Sequence, residues 1–203
     1  MRIYFIRHGE SEANVLREIS NRGLKHPLTD LGRRQVEALA RELRGESVAR
    51  IYTSPLLRAV QTAEILSERL ALPVTVDPAL REGDMGILEG RSDDEAWRIL
   101  EELVHDWYRR GRWESRAEGG ENLHDIQARF VPFLESLLAE HAAADQDLIL
   151  IGHGGTYIAM LPVILANVDH QLALASPLPN CGYVTAEASA SGLVCRSWCG
   201  REI

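Results

Sequence analysis

"IYFIRHGESEAN", Ile3 to Asn14, sets four apolar residues directly against a guanidinium, an imidazole and a glycine. Ile3-Tyr4-Phe5-Ile6 reads as a short strand with no face given to water, the pattern of a strand covered by helices on both sides. Its abrupt end in Arg7-His8-Gly9-Glu10 has two readings. Polar residues terminate strands, and polar residues also gather where an anion binds. The same device recurs in "DLILIGHGG", Asp147 to Gly155, where a second apolar run enters His153 and two glycines.

Between these runs, strands and helices alternate. "PLTDLGRRQVEALARELR" predicts a helix capped by Thr29, with Val36, Leu39, Ala40 and Leu43 on one face. "RIYTSPLLRAVQTAEILSERL" predicts a strand ending at Thr53, then a helix with Ser54 as N-cap and Pro55 as its first residue. "LPVTVD" predicts a short strand, "SDDEAWRILEELV" a helix opening on a capping residue and acids, and "ENLHDIQARFVPFLESLLAEH" a long helix bent at Pro132. "TYIAMLPVILANV" is helical in pattern. The tail "YVTAEASASGLVCRSW" predicts two strands around a Ser-Gly turn. Such alternation predicts an α/β fold: a mainly parallel sheet between two layers of helices, a three-layer α-β-α sandwich. Ligands of such sheets sit beyond the strand C-termini, where His8 and His153 are predicted to lie. No linker or repeat divides residues 1–203, so a single domain is expected.

Composition narrows the function. With 22 Lys and Arg against 30 Asp and Glu, the net charge is −8. That balance argues against a general nucleic-acid binder but leaves room for one small basic pocket. Cys181, Cys195 and Cys199 are odd in number and lack Cys-x-x-Cys spacing, which predicts reduced thiols and a cytoplasmic setting. No signal peptide or membrane span is expected. The seven histidines show no zinc-ligand spacing.

Four stretches place polar chemistry at element ends: Arg7-His8-Gly9-Glu10, "TSPLLRAVQTA" with Arg58, "LREGDMGILEG" with Glu82, and "IGHGG" with His153. Arg58 falls in the first turn of a helix, where it opposes the dipole and has no local electrostatic reason to be. Two imidazoles, two guanidiniums and a carboxylic acid are the parts that phosphoryl transfer needs. Guanidiniums grip the oxygens, an imidazole can take the phosphoryl group covalently, and an acid protonates the leaving oxygen.

"RHGESEAN" resembles the signature of the histidine phosphatase superfamily, the phosphoglycerate mutase-like proteins. "PLTDLGRRQVEAL", "TSPLLRAVQTAEIL", "REGDMGILEG", "GGENLHDIQARF" and "LIGHGGTYIAML" resemble the family's later motifs in the family's order. The resemblance implies the phosphoglycerate mutase-like fold and a phosphohistidine on His8. It implies that Arg7, Arg58 and His153 hold the phosphoryl group, and that Glu82 is the general acid and base, with Asp84 as its rival. It implies that Asn14, Arg22, Gly23 and Gly154 line the substrate side. No cofactor and no metal are implied, and the partner is a small phosphorylated metabolite. Nucleic acid and membrane are not expected partners, and the oligomeric state, a homodimer included, stays open.

The resemblance favours a phosphatase: the family's sugar-phosphate mutases carry an Asn after the second His-Gly and a proline run after an Arg-Arg pair, whereas this chain has Gly155 and no proline run after "YRRGRW". A phosphoglycerate mutase is the alternative, and a phospho-ligand binding protein with a dead site is the third. The segment from Trp97 to Glu121 interleaves Trp97, Trp107, Tyr108 and Trp113 with Arg109, Arg110, Arg112 and Arg116. Two readings stand for it: a helix pair with core aromatics and solvated arginines, or a lid whose arginines choose the substrate.

Overall fold

In the computed structural model, which describes residues 1–141, 146–189 and 192–203, the elements run in chain order as follows. They are β1 (Arg2–Arg7), α1 (Glu12–Leu16), α2 (Asp30–Glu42), β2 (Val48–Thr53), α3 (Leu57–Leu70), β3 (Val74–Val76), α4 (Asp94–Arg109) and α5 (Leu123–Glu140). Then come β4 (Asp147–Gly152), α6 (Gly154–Ile164), α7 (His170–Ala175), β5 (Tyr183–Ser189), β6 (Gly192–Trp198) and β7 (Arg201–Glu202). The strands form one seven-stranded sheet in the order β3-β2-β4-β1-β5-β6-β7. The pairings among β3, β2, β4 and β1 are parallel, and those from β1 through β5 and β6 to β7 are antiparallel. The parallel part carries the site. Within the antiparallel flank, β5 and β6 are too close in sequence for a crossover and can only form a hairpin. Of the Ser-Gly turn expected between them, residue 191 lies outside the described residues and Gly192 is the first residue of β6.

β1 is apolar throughout because both its faces are covered. Successive side chains of a strand point to opposite faces. Ile3 and Phe5 accordingly join Leu148 and Leu150 in one core, beneath α4, α5 and α6. Tyr4 and Ile6 join Ile149, Ile151 and Ile51 in the other, beneath α2 and α3. Phe5 is 0% exposed; its truncation to Ala would cost about 3–5 kcal/mol. Two cores on two faces make the three layers.

Local chemistry sets the helix starts. Thr29 caps α2, its hydroxyl accepting from the Gly32 amide at 3.0 Å. That helix end packs directly on the chain leaving β1: a Cβ on Gly32 would lie 2.0 Å from the Glu10 carbonyl oxygen, so only glycine fits. Asp93 caps α4, and Asn122 with Asp125 forms a reciprocal cap on α5. Ser54 is not the N-cap of α3: that position is Leu56, and Pro55 lies before the helix. Ser54 is instead drawn to the sheet, donating its amide to the Ile151 carbonyl at 2.9 Å. Pro132 lies inside α5. Among the described residues, no helix is long and apolar enough to cross a membrane.

Candidate active site

Strand register builds the centre of the site. Arg7 pairs with Gly152 across β1 and β4, so the next residue of each strand, His8 and His153, emerges side by side. Their ring centroids are 5.1 Å apart. The His8 amide donates to the Gly152 carbonyl at 3.1 Å and fixes the loop that carries its ring. β2 ends alongside, and Ser54 just beyond it has its Oγ 2.7 Å from His153 Nε2.

The His8 ring is held from both nitrogens. Nδ1 lies 2.7 Å from the Gly9 carbonyl oxygen, which can only accept, so Nδ1 carries the proton. Nε2 therefore presents a lone pair, and the Arg58 Nε–H donates to it at 3.0 Å. Arg58 also donates to the Ser20 carbonyl at 2.8 Å, and Arg7 to the Leu178 carbonyl at 2.7 Å. Both guanidiniums are held by carbonyl oxygens rather than by carboxylates. Burial pushes the His8 imidazole well below its ordinary value of 6.5, and Arg58 reinforces this. The same two causes, burial first and Arg58 next, depress His153. His153 Nδ1 is the one buried side-chain polar atom among the described residues without a hydrogen-bond partner. An unsatisfied buried nitrogen costs free energy unless a ligand meets it.

Glu82 lies over the N-terminus of α6. Its Oε1 accepts from the Gly83 amide at 3.0 Å, the Thr156 amide at 2.7 Å and the Thr156 hydroxyl at 2.8 Å. Its Oε2 accepts from the Gly155 amide at 2.9 Å. Glycine at 155 leaves room for this: a Cβ there would come within 2.9 Å of Glu82 Oε1.

Arg7, His8, Arg58 and Glu82 form the inner end of a cavity of about 330 Å³ that Asn14 and Gly154 also line; His153 is outside the lining, its ring beside that of His8. Buried cations without carboxylate partners, an imidazole lone pair and an orphaned nitrogen together suit a tetrahedral oxyanion.

The model of the histidine phosphatase superfamily (branch 1) matches residues 3–200. The chain belongs to that superfamily. It is 32% identical to "Probable phosphoglycerate mutase GpmB" of Proteus mirabilis, over 98% of this chain and 90% of that protein. A mycobacterial glucosyl-3-phosphoglycerate phosphatase solved with VO3 superposes with a TM-score of 0.83 at 26% identity, covering 97% of this chain and 98% of that one. The alpha-ribazole phosphatase of Shigella flexneri shares the fold, with a TM-score of 0.81 at 24% identity, over 100% and 98% of the two chains.

Within this histidine phosphatase fold, Arg7, His8, Arg58, Glu82 and His153 converge as the motifs suggested, and Asn14 and Gly154 line the cavity. Arg22 and Gly23 do not. The Arg22 guanidinium turns to Asp84 Oδ2 at 2.7 Å and to the Gly119 carbonyl at 3.1 Å. Ser20 and Asn21 take their place in the cavity wall. Asn21 is locked there, its amide donating to Glu89 Oε2 at 2.7 Å and its side chain to the Gly83 carbonyl at 2.9 Å. Asp84 is outside the lining. Burial works to raise its carboxyl, but the bonds from Arg22 and the Gly86 amide outweigh that and hold it below the usual range.

The segment after residue 96 is one helix and a loop rather than a helix pair. Trp97, Trp107 and Tyr108 line the cavity. Trp113 packs against the rings of His124 and His170 instead. The arginines face water. Arg110 pairs with Glu102 and Asp106, Arg112 with Asp106 and Arg116 with Asp125, and none of them lines the cavity. Sequence reasoning missed Ser54, Thr156 and the Ser20-Asn21 wall. Ser54 and Thr156 flank motif residues, and adjacency was the one available signal.

Proposed function

We propose that this chain is a phosphomonoester hydrolase that works through a phosphohistidine on His8. The observation that carries the reading is the tautomer of His8, with Nδ1–H spent on the Gly9 carbonyl and the Nε2 lone pair facing the Arg58 guanidinium. A phosphoryl group entering between them takes the Arg58 donor for its own oxygens and exposes the lone pair. Nε2 attacks phosphorus as the bond to the ester oxygen breaks. Arg7, Arg58 and His153 Nδ1 stabilise the charge spread over the equatorial oxygens. Glu82 gives its proton to the departing alcohol. Oε2 is the oxygen suited to carry that proton, having one donor against three at Oε1. Water then attacks the phosphohistidine and gives a proton back to Glu82, and phosphate leaves from a restored His8. No step in this scheme calls for a metal.

A second reading, isomerisation of a phosphoglycerate, is favoured by the name of the Proteus relative. The first reading is better supported, because among the described residues the Lys or Arg side chains lining the cavity are Arg7 and Arg58 alone. Both are engaged at the inner end, which leaves none for the second acidic group of a phosphoglycerate.

The test is a labelled phosphomonoester, quenched without acid, with the label mapped by peptide. Label on His8, lost with His8→Ala together with nearly all turnover, is the expected result. Label on His153 reverses the assignment, and isomerised product from 3-phosphoglycerate in place of free phosphate favours the mutase. Binding without turnover of any ester identifies a phospho-ligand binding protein.

A further inference from the structure

Beyond its phosphoryl end the cavity has a different character. α4 presents Trp97, Leu100, Val104 and Trp107 to it, at steps of three and four residues that make a single face of the helix. Met85 and Ile158 belong to the same lining. The wall is fixed rather than loose. Trp97 Nε1 donates to the Arg17 carbonyl at 2.8 Å, and Trp107 Nε1 to the Ser115 carbonyl at 2.7 Å. With their N–H groups committed outward, the indoles offer the cavity only ring carbon.

Charge around the mouth is equally one-sided. Glu18 and Glu82 are the acids of the lining. Arg22 is bound to Asp84, while Arg81 and Arg129 are both bound to Glu121. Arg17 lies over the ring of Trp97, 5.6 Å from its centroid, and is outside the lining. A second anionic group held within the cavity would lose its hydration against carbon and face Glu18, and among the described residues the lining has no cation beyond Arg7 and Arg58 to receive it.

We infer that the natural substrate is the phosphomonoester of an uncharged, apolar alcohol carrying a ring or a comparable hydrocarbon body, which α4 selects through Trp97, Leu100, Val104 and Trp107. The inference rests on the phosphatase reading for turnover but not for binding. A cavity of about 330 Å³ is at the small end of sites for organic ligands, so the body is of modest size. Tyr108, at the end of the same helix face, adds a hydroxyl to the lining.

The test compares 2-phenylethyl phosphate, ethyl phosphate and 3-phosphoglycerate. All three lose an alkoxide, which separates pocket fit from leaving-group ability. Release of phosphate from the phenylethyl ester should exceed that from ethyl phosphate by roughly ten- to a hundredfold in kcat/KM, as full burial of an aromatic side chain would give, and 3-phosphoglycerate should be the poorest. Trp97→Ala should shrink the phenylethyl-to-ethyl ratio. Calorimetry with 2-phenylethylphosphonate and ethylphosphonate, which cannot turn over, repeats the comparison on the unaltered protein. Equal affinity for the two phosphonates, or 3-phosphoglycerate as the best ester, overturns the inference and leaves the phosphatase reading standing. A phosphonate preference without turnover of any ester, p-nitrophenyl phosphate included, upholds the apolar site and removes the phosphatase.

Discussion

At its inner end the cavity is made at strand termini: Arg7 ends β1 and His8 follows it, with His153 beside His8 after β4, and Arg58 enters from the first turn of α3. At its outer end it is made by one face of α4, whose opposite face is in water. His8, Arg58 and His153 are at most 5% exposed, whereas Trp97, Leu100 and Val104 are only half-buried. The two ends make different demands on the chain. Charge stabilisation needs donors fixed to fractions of an ångström, and strand register in a covered sheet supplies that. An apolar wall needs only volume and carbon, which a helix on the rim can vary without touching the register. If the proposed reading holds, chemistry and choice of substrate are separable here, and substitutions at each end should show it.

The largest effect is expected at the inner end. Arg58→Ala removes the donor that faces His8 Nε2 and the one that holds the Ser20 carbonyl. If Arg58 clamps the transferring group, kcat on p-nitrophenyl phosphate should fall by about 10³- to 10⁵-fold. A loss confined to KM would mean that it binds the ester without favouring the transition state.

Glu82→Gln comes next. It keeps the side-chain shape over α6, gives up the bond from the Gly155 amide by setting an NH2 against it, and removes the acid. A general acid contributes about 10²- to 10⁴-fold, and an alkoxide needs the proton far more than nitrophenolate does. The loss should be large on ethyl phosphate and small on p-nitrophenyl phosphate, read as single-turnover release of the alcohol. Equal losses would show that Glu82 is not the proton donor.

A smaller effect concerns acidity. His8 and His153 are both driven well below 6.5 by burial and Arg58. As pH falls through 6.5, the unfolded chain takes up these protons while the folded chain does not. The stability held by keeping the rings neutral is complete above that pH and drains away as pH drops towards the folded-state values. The urea midpoint should therefore decline below about pH 6.5. The ring-proton NMR signals of His8 should show no titration across about pH 6 to 7. A full titration step there would place a cationic ring in the free enzyme and break the nucleophile assignment.

The inner end was legible in the sequence because its residues are tied to backbone landmarks. An apolar run marks the strand, the next residue is the site, and two such runs in a parallel sheet put two histidines together. Arg58 was legible as a cation at a helix start with no local purpose. Arg22, expected on the substrate side, lies outside the lining: the chain near it has no regular element to fix direction, and its guanidinium meets Asp84 62 positions away. Ser54 fits an N-cap by type and position, but β2 delivered it to His153 first. The outer wall was half legible: helical spacing identifies one apolar face on α4 but cannot tell a face turned to the core from one turned to a cavity.

The smallest effect, and the sharpest test of the separation, lies within the segment that was hardest to read. Arg109 and Arg110 follow the aromatics of α4 directly, so proximity in sequence suggests that they contact substrate. The structure turns them the other way. Both are exposed, and Arg110, the C-cap of α4, is spent on Glu102 and Asp106, eight and four residues back. Exposed pairs of this kind are screened by salt and contribute little. Changing both residues to Ala should alter kcat/KM by less than about twofold for every ester, with the phenylethyl-to-ethyl ratio untouched. A selective loss on 3-phosphoglycerate would instead mean that these side chains swing into the mouth when an acidic ester arrives. The rim would then carry charge as well as carbon, and the division between the two ends would fail.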